Sequence, residues 1–218
     1  MSWSLSETRA LALKAARGVG MAWGLAEEAS EAVVWLQSRG LPGVSALCRY
    51  FSWYQLQKPL LQKRTGIRHE DNTIPYCPFS IGTAISDGAI TIPSNVSTGI
   101  SLGLIRQPLL LLSFVSASAP AGYGLYVGSS SISVYLGTEK FPSHLDFPKA
   151  VLTDEAECFI RPIRQELPNF QLKAPPLRLP DCYGGCIDVF NTFARKTYAP
   201  STEQSRSTGA GERSIDDD

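Results

Sequence analysis

The chain has 218 residues, 44% of them hydrophobic, and its 20 basic side chains are balanced by 20 acidic ones. That length lets one domain bury roughly 70% of the surface its unfolded form would expose, without help from disulfides; the balanced charge removes the basic footprint of a protein whose main partner is a phosphate backbone. The most apolar run, Leu109 to Val115, is far shorter than the roughly 20 residues a helix needs to cross a bilayer, so neither nucleic acid nor a membrane is expected as a partner.

The first 54 residues read as helices. Ser4 and Glu7 form a capping box, in which each side chain satisfies the other residue's backbone amide, and an alanine- and leucine-rich run follows to Gly18-Val19-Gly20. A second helix, from about Gly24 to Arg39, places Leu25, Ala29, Ala32, Val33 and Leu36 on one stripe and stops at Gly40, with Pro42 beyond. The two suggest a helical hairpin. A third helix, about Val44 to Tyr54, completes the group with Leu47, Tyr50 and Phe51 on its apolar side.

From Gln55 to Pro75 the composition turns polar and basic, as in a linker or surface insertion. The period then changes. Ala89 to Ile92, Leu109 to Ser116, Tyr123 to Val127, Ile132 to Leu136 and Cys158 to Ile163 are short β-branched, aromatic or aliphatic runs separated by Gly, Pro and Ser, the pattern of a meandering antiparallel sheet. Asp188 is expected to cap a last helix containing Val189, Phe190, Phe193 and Ala194. The expected class is therefore α+β: an N-terminal helical hairpin or three-helix group, a central mainly antiparallel sheet, one C-terminal helix and an extended polar tail. Residues 1–200 are read as one domain, divided into a helical region (residues 1–54), a polar linker or insertion (residues 55–76) and a β-rich region with its helix (residues 77–200). Residues 201–218 are the polar, acidic tail.

The five cysteines, Cys48, Cys77, Cys158, Cys182 and Cys186, are an odd number and follow no secretory leader pattern, so reduced thiols in a bacterial-type cytoplasm are expected. Cys182 and Cys186 flank Tyr183-Gly184-Gly185, a spacing of neither a redox pair nor a zinc knuckle, and no metal site is read from it. Cys77, expected to precede a strand, is either a nucleophile or a small buried apolar residue. His69 and His144 are the only imidazoles, so a three-histidine metal site is excluded within one chain, and both sit in loop-like sequence. Gly18-Val19-Gly20 with Gly24 lies between helices and lacks the preceding strand of a dinucleotide fingerprint. No cofactor is implied.

Helix geometry gives a sharper clue. At about 100° per residue, Arg9 falls inside the arc of Leu5, Ala12, Leu13 and Ala16. A guanidinium there needs a partner, and Glu28, bordering the apolar stripe of the second helix, is the natural one across the hairpin. The alternative is that Arg9 faces a cleft and clamps a substrate carboxylate.

Ala15-Ala16-Arg17-Gly18 and Trp23-Gly24-Leu25-Ala26-Glu27-Glu28-Ala29 near the start, with Thr197-Tyr198-Ala199-Pro200-Ser201-Thr202-Glu203, Ser205-Arg206 and Gly209-Ala210-Gly211 near the end, resemble a proteobacterial family of uncharacterised proteins, a domain of unknown function. About the first 45 and last 30 residues carry the resemblance. Glu212, Arg213 and Asp217 depart from the family pattern, whereas Asp216 and Asp218 fit it. The tail then has two readings: a solvated acidic end, or a lid over a pocket, with Arg206 contacting an anion and Asp216 or Asp218 facing a cation or amine.

Two functions from different classes follow. The first is a small-molecule enzyme acting on a polar, carboxylate-bearing metabolite, bound by Arg9, Arg17 and Arg206, with acid and base work falling to Glu28, Asp216 or Asp218 because histidine is scarce. The second is a non-catalytic accessory subunit, a homo-oligomer or a binder of a protein partner. Its interface would be the run Leu109 to Val115 and the aromatic cluster Tyr50, Phe51, Trp53 and Tyr54.

Overall fold

The computed structural model describes residues 3–61, 74–92, 99–120, 122–128, 134–135, 153–162 and 183–198. The chain runs α1 (Leu5–Val19), α2 (Trp23–Gln37), α3 (Gly43–Leu61), α4 (Pro78–Ser86), β1 (Ile100–Arg106), a 3-10 turn Pro108–Leu111, α5 (Leu112–Ser118), β2 (Tyr123–Val127), β3 (Val134–Tyr135), β4 (Glu155–Pro162), α6 (Gly184–Ala194) and a 3-10 turn Arg195–Thr197. The class is α+β, with an N-terminal three-helix group, an antiparallel sheet in the order β1-β4-β2-β3 and a C-terminal helix.

The capping box starts α1 as the sequence requires: the Glu7 amide donates to Ser4 Oγ at 3.2 Å and the Ser4 amide to Glu7 Oε2 at 2.8 Å. Gly20, at φ 96°, ends the helix in the left-handed region, and Met21 N–H returns to the Ala16 carbonyl at 3.0 Å. The buried face of α1 is Thr8, Leu11, Ala12, Ala15, Ala16 and Val19. It packs on Ala26, Ala29, Ala32, Val33 and Leu36 of α2, alanines that let the two backbones approach closely.

Helix α6 crosses the end of this hairpin. Phe190 and Phe193 meet the Phe51 ring of α3 at centroid distances of 5.4 and 5.9 Å. Phe193 also lies so close to Gly18 that a Cβ there would stand 1.9 Å from its carbonyl oxygen. Gly18 is thus small because α6 needs the space.

Several strand expectations are corrected. Leu109 to Ser116 is helical: Pro108 supplies the fixed φ of a first helical position, and Leu109, Leu110, Leu111, Leu112 and Val115 are all buried, so the run is apolar on every side rather than alternating. Ala89 to Ile92 is a turn after α4, entered through Gly88 at φ 75°. Cys77 precedes a helix, not a strand, with Pro78 at its first position. Asp188 lies inside α6, where its carbonyl accepts the Thr192 hydroxyl at 2.9 Å, and Tyr183 occupies the N-cap. Helix α3 continues through Gln55 to Leu61, taking in the start of the supposed linker. Strand β1 has no counterpart among the expected strands. Its register shifts between Ser101 and Gly103, and Gly103 sits at φ 80° under the Tyr76 ring, so no clean alternation marks it. Tyr123 to Val127 is β2, Val134–Tyr135 is the described portion of the Ile132 to Leu136 run, and Cys158 falls in β4.

Gly18→Ala is expected to weaken the docking of α6 and cost about 1–3 kcal/mol by overpacking. Gly24→Ala, with nothing within 4 Å of the new methyl group, leaves stability unchanged or raises it by up to about 1 kcal/mol. Urea midpoints of the two variants check the contrast.

Candidate functional site

Helix α2 presents a second face beside the one that packs on α1. Steps of three and four residues return to one side of a helix, so Glu28, Glu31, Ala32, Trp35 and Ser38 form a stripe along it. Ser86 at the end of α4 and Ser113, Phe114 and Ala117 of α5 stand opposite, and the space between is a groove of about 360 Å³.

The two ends of the groove differ in charge. At one end, burial pushes the Glu28 carboxyl above its ordinary range, and the neighbouring Glu31, Asp87 and Glu27 push the same way. Arg9 crosses from α1 to pair with Glu31. At the other end Arg39 folds back over the terminus of α2, donating from one terminal nitrogen to the Trp35 carbonyl at 3.1 Å and to Ser38 Oγ at 3.0 Å, its guanidinium 4.0 Å above the Trp35 ring. The last carbonyls of a helix lack intrahelical donors, which is why a basic side chain settles there. The Ser113 hydroxyl oxygen is buried and has no hydrogen-bond partner among the described residues.

The sequence-predicted residues fare unequally. Arg9 was expected within the apolar arc and paired to Glu28. It is instead 55% exposed, at the edge of the buried face, and its partner is Glu31. Thr8 takes the buried position because its hydroxyl is satisfied by the Ser4 carbonyl at 2.8 Å. Arg17 holds the hairpin turn, donating to the Met21 carbonyl and lying 5.4 Å from the Trp23 ring centre. Glu28 lines the groove, and neither Arg9 nor Arg17 does. Arg206, Asp216 and Asp218 lie outside the described residues, as do His69, His144 and Cys182. Arg39 and Ser113 are additions from the structure, and helical spacing from Glu28 through Trp35 is the signal that finds Arg39.

The interface expected at Leu109 to Val115 loses most of its surface, since Leu109 to Leu112 and Val115 are in the core. Tyr50 and Phe51 are fully buried too, and Trp53 and Tyr54 are half-buried. Cys77 accepts a hydrogen bond from the Tyr50 hydroxyl at 2.9 Å; burial pushes the phenol well above its ordinary range, so it stays the donor. Cys48 is pushed up to about 12, mostly by burial and then by Cys186 beside it, and Cys158 is raised by burial in β4. Thiols held protonated in this way are poor nucleophiles. Among the described residues, no group of three or more His, Cys, Asp or Glu could hold a metal ion, and no helix is long and apolar enough to cross a membrane.

A second polar cluster joins α3 to the sheet. Gln107, at φ 49° and with its side chain buried, donates from Nε2 to Asp154 Oδ1 at 2.6 Å and accepts from Arg49 at 3.4 Å. Arg106 reaches Asp154 at 3.6 Å and Glu155 at 3.4 Å. These ion pairs balance charge within the cluster and tie α3 to the sheet, while Arg106 Nε is buried with no hydrogen-bond partner among the described residues.

Residues 3–76 match the family described as "Protein of unknown function (DUF3726)". The resemblance read from Ala15 to Gly18 and Trp23 to Ala29 is contained in that match. It covers α1, α2 and α3 and reaches Tyr76, so the matched region includes the α2 wall of the groove, whereas the α4 and α5 wall lies beyond it. No curated protein and no solved structure matches the chain.

Because the folded state holds the Glu28 proton more tightly than the unfolded chain does, Glu28 contributes a loss of stability as pH rises from its unfolded value through its raised folded one. Glu28→Gln is therefore expected to melt above the wild type at about pH 7, the gap closing as the pH is lowered towards about 4. Thermal melts across that range check it.

Proposed function

We propose that the protein is a small-molecule enzyme of the bacterial cytoplasm that acts on a polar, carboxylate-bearing metabolite in the groove between α2 and α5. The observation that supports it is the pairing, on one helical stripe, of a guanidinium suited to a carboxylate with a carboxyl whose surroundings favour its protonated form. Arg39 anchors the substrate carboxylate in this proposal, held in place by its stacking on Trp35. Glu28 exchanges a proton with the substrate, a task for which a carboxyl raised towards neutrality is suited. Arg9 holds Glu31 in an ion pair beside it. The apolar surface of Trp35 and Ala117 packs against the substrate's carbon chain.

Titration of the full chain with pentanoate and glutarate tests the anchoring, followed by amide resonances of Ser113, Phe114 and Trp35. Shifts confined to the groove, and lost in Arg39→Leu, are the expected result. Resonances that stay put with both acids would overturn the proposal. Once a substrate is found, Glu28→Gln is expected to lower kcat by about 100-fold or more while binding persists.

A further inference from the structure

Helices α3 and α6 meet through aromatic rings and, one turn earlier on each helix, through a pair of thiols. Steps of three and four residues put Cys48 on the same side of α3 as Phe51, and Cys186 on the same side of α6 as Phe190 and Phe193. The Phe51 ring touches both of those rings, at centroid distances of 5.4 and 5.9 Å, so the packing that docks α6 also brings the two cysteines together. Cys48 donates a hydrogen bond to the Cys186 sulfur, and both are free thiols. The other described cysteines have different surroundings: Cys158 is buried in β4, and the Cys77 sulfur is occupied by the Tyr50 hydroxyl.

The pair is reachable from solvent. Cys48 and Cys186 are half-buried, and the two residues before Cys186, Gly184 and Gly185, are exposed. A Cβ at either glycine would meet nothing within 4 Å among the described residues, so the start of α6 carries no side chain that bars a small oxidant. The thiols differ in readiness. Burial, and then the adjoining Cys186, hold the proton on Cys48, whose pKa is pushed up to about 12, which leaves Cys186 to react first.

We propose that Cys48 and Cys186 are a peroxide-oxidised thiol pair, closing to a reversible disulfide that fastens α6 to the three-helix group. The Cys186 thiolate attacks one oxygen of hydrogen peroxide and an S–O bond forms as the O–O bond breaks. The hydroxide released takes up the proton that Cys186 lost and leaves as water, and the sulfur is now a sulfenic acid. Cys48 then attacks that sulfur: an S–S bond forms, the S–O bond breaks, and the hydroxyl departs with the Cys48 proton as a second water. The two thiols together are oxidised by one peroxide, which is reduced to water. Once the Cys186 sulfur carries oxygen its negative charge is gone, and with it one of the causes that held the proton on Cys48. Exchange with a dithiol restores both thiols, as a transient disulfide in a reducing compartment requires.

Treatment of the folded, full-length protein with hydrogen peroxide tests the pair, followed by alkylation of the remaining thiols, digestion and mass spectrometry. The expected result is the loss of two of the five thiols and a peptide cross-link between Cys48 and Cys186, both reversed by dithiothreitol. Cys48→Ser and Cys186→Ser each abolish that cross-link, whereas Cys182→Ser keeps it. The oxidised protein is expected to melt about 5–10 °C above the reduced one, since the bond closes a long loop, and Cys186→Ser removes the difference. Cys186→Ser, at a half-buried position in the first turn of α6, serves alone should Cys48→Ser fail to fold. Five thiols still titrating after peroxide, a cross-link to Cys182 or between two molecules, or Cys186 driven to a sulfinic acid while Cys48 stays free would each overturn the pairing. A Cys48 to Cys186 cross-link with no rise in melting temperature would overturn the fastening of α6.

Discussion

Gln107 stands where β1 must turn into the buried helical run that begins at Pro108, and it does so at φ 49° and ψ 67°. The left-handed region costs a non-glycine residue about 1–2 kcal/mol. What holds it is a set of bonds that reach in two directions: its backbone amide donates to the Asp154 carbonyl at 2.7 Å, its side chain to the Asp154 carboxylate, and Arg49 of α3 donates to its side-chain oxygen. Gln107 is thus one of the points at which the helical layer and the sheet are joined. Leu109 to Leu112 are fully buried just after it, so a change in its backbone angles would swing four core leucines out of place.

That junction is also what places α5. The groove's inner wall is Ser113, Phe114 and Ala117, and their position follows from the turn at Gln107 and from Gly82 of α4. A Cβ at Gly82 would lie 2.4 Å from the Phe114 ring, so the glycine lets α4 and α5 close together behind the groove. The opposite wall needs no such device. It is the polar face of an amphipathic helix whose other side is fixed by α1. One wall is therefore set by tertiary strain and the other by periodicity.

This difference explains what the sequence could show. The three-helix group was legible because Ser4, Glu7, Gly20 and Gly40 act within a few residues of themselves, and the alanine stripe of α2 repeats at helical spacing. The place of Glu28 at the border of that stripe was legible for the same reason. The partner of Arg9 was missed by one helical turn, because Thr8 reads as polar in sequence although its hydroxyl is satisfied locally. Leu109 to Val115 defeated the reading for a deeper reason: a residue buried on all sides leaves no periodicity, and helix and strand then look alike. Ser113 and Phe114 inherited that ambiguity, so half the groove could not be seen. Strand β1 was hidden by its own irregularity at Gly103.

Tyr76 closes off the outer side of that same strand. Its amide donates to the Leu104 carbonyl at 2.7 Å and its carbonyl accepts from Arg106 at 3.1 Å, on the side of β1 away from β4. A terminal strand with unused backbone groups invites a strand from another molecule, and proteins guard against this by plugging, bending or charging the edge. Here the plug is a two-bond parallel stub, and the kink at Gly103 bends what remains. A second copy of the chain therefore has no continuous ladder to join along Leu104 to Arg106, and that stretch of β1 is closed to extension of the sheet.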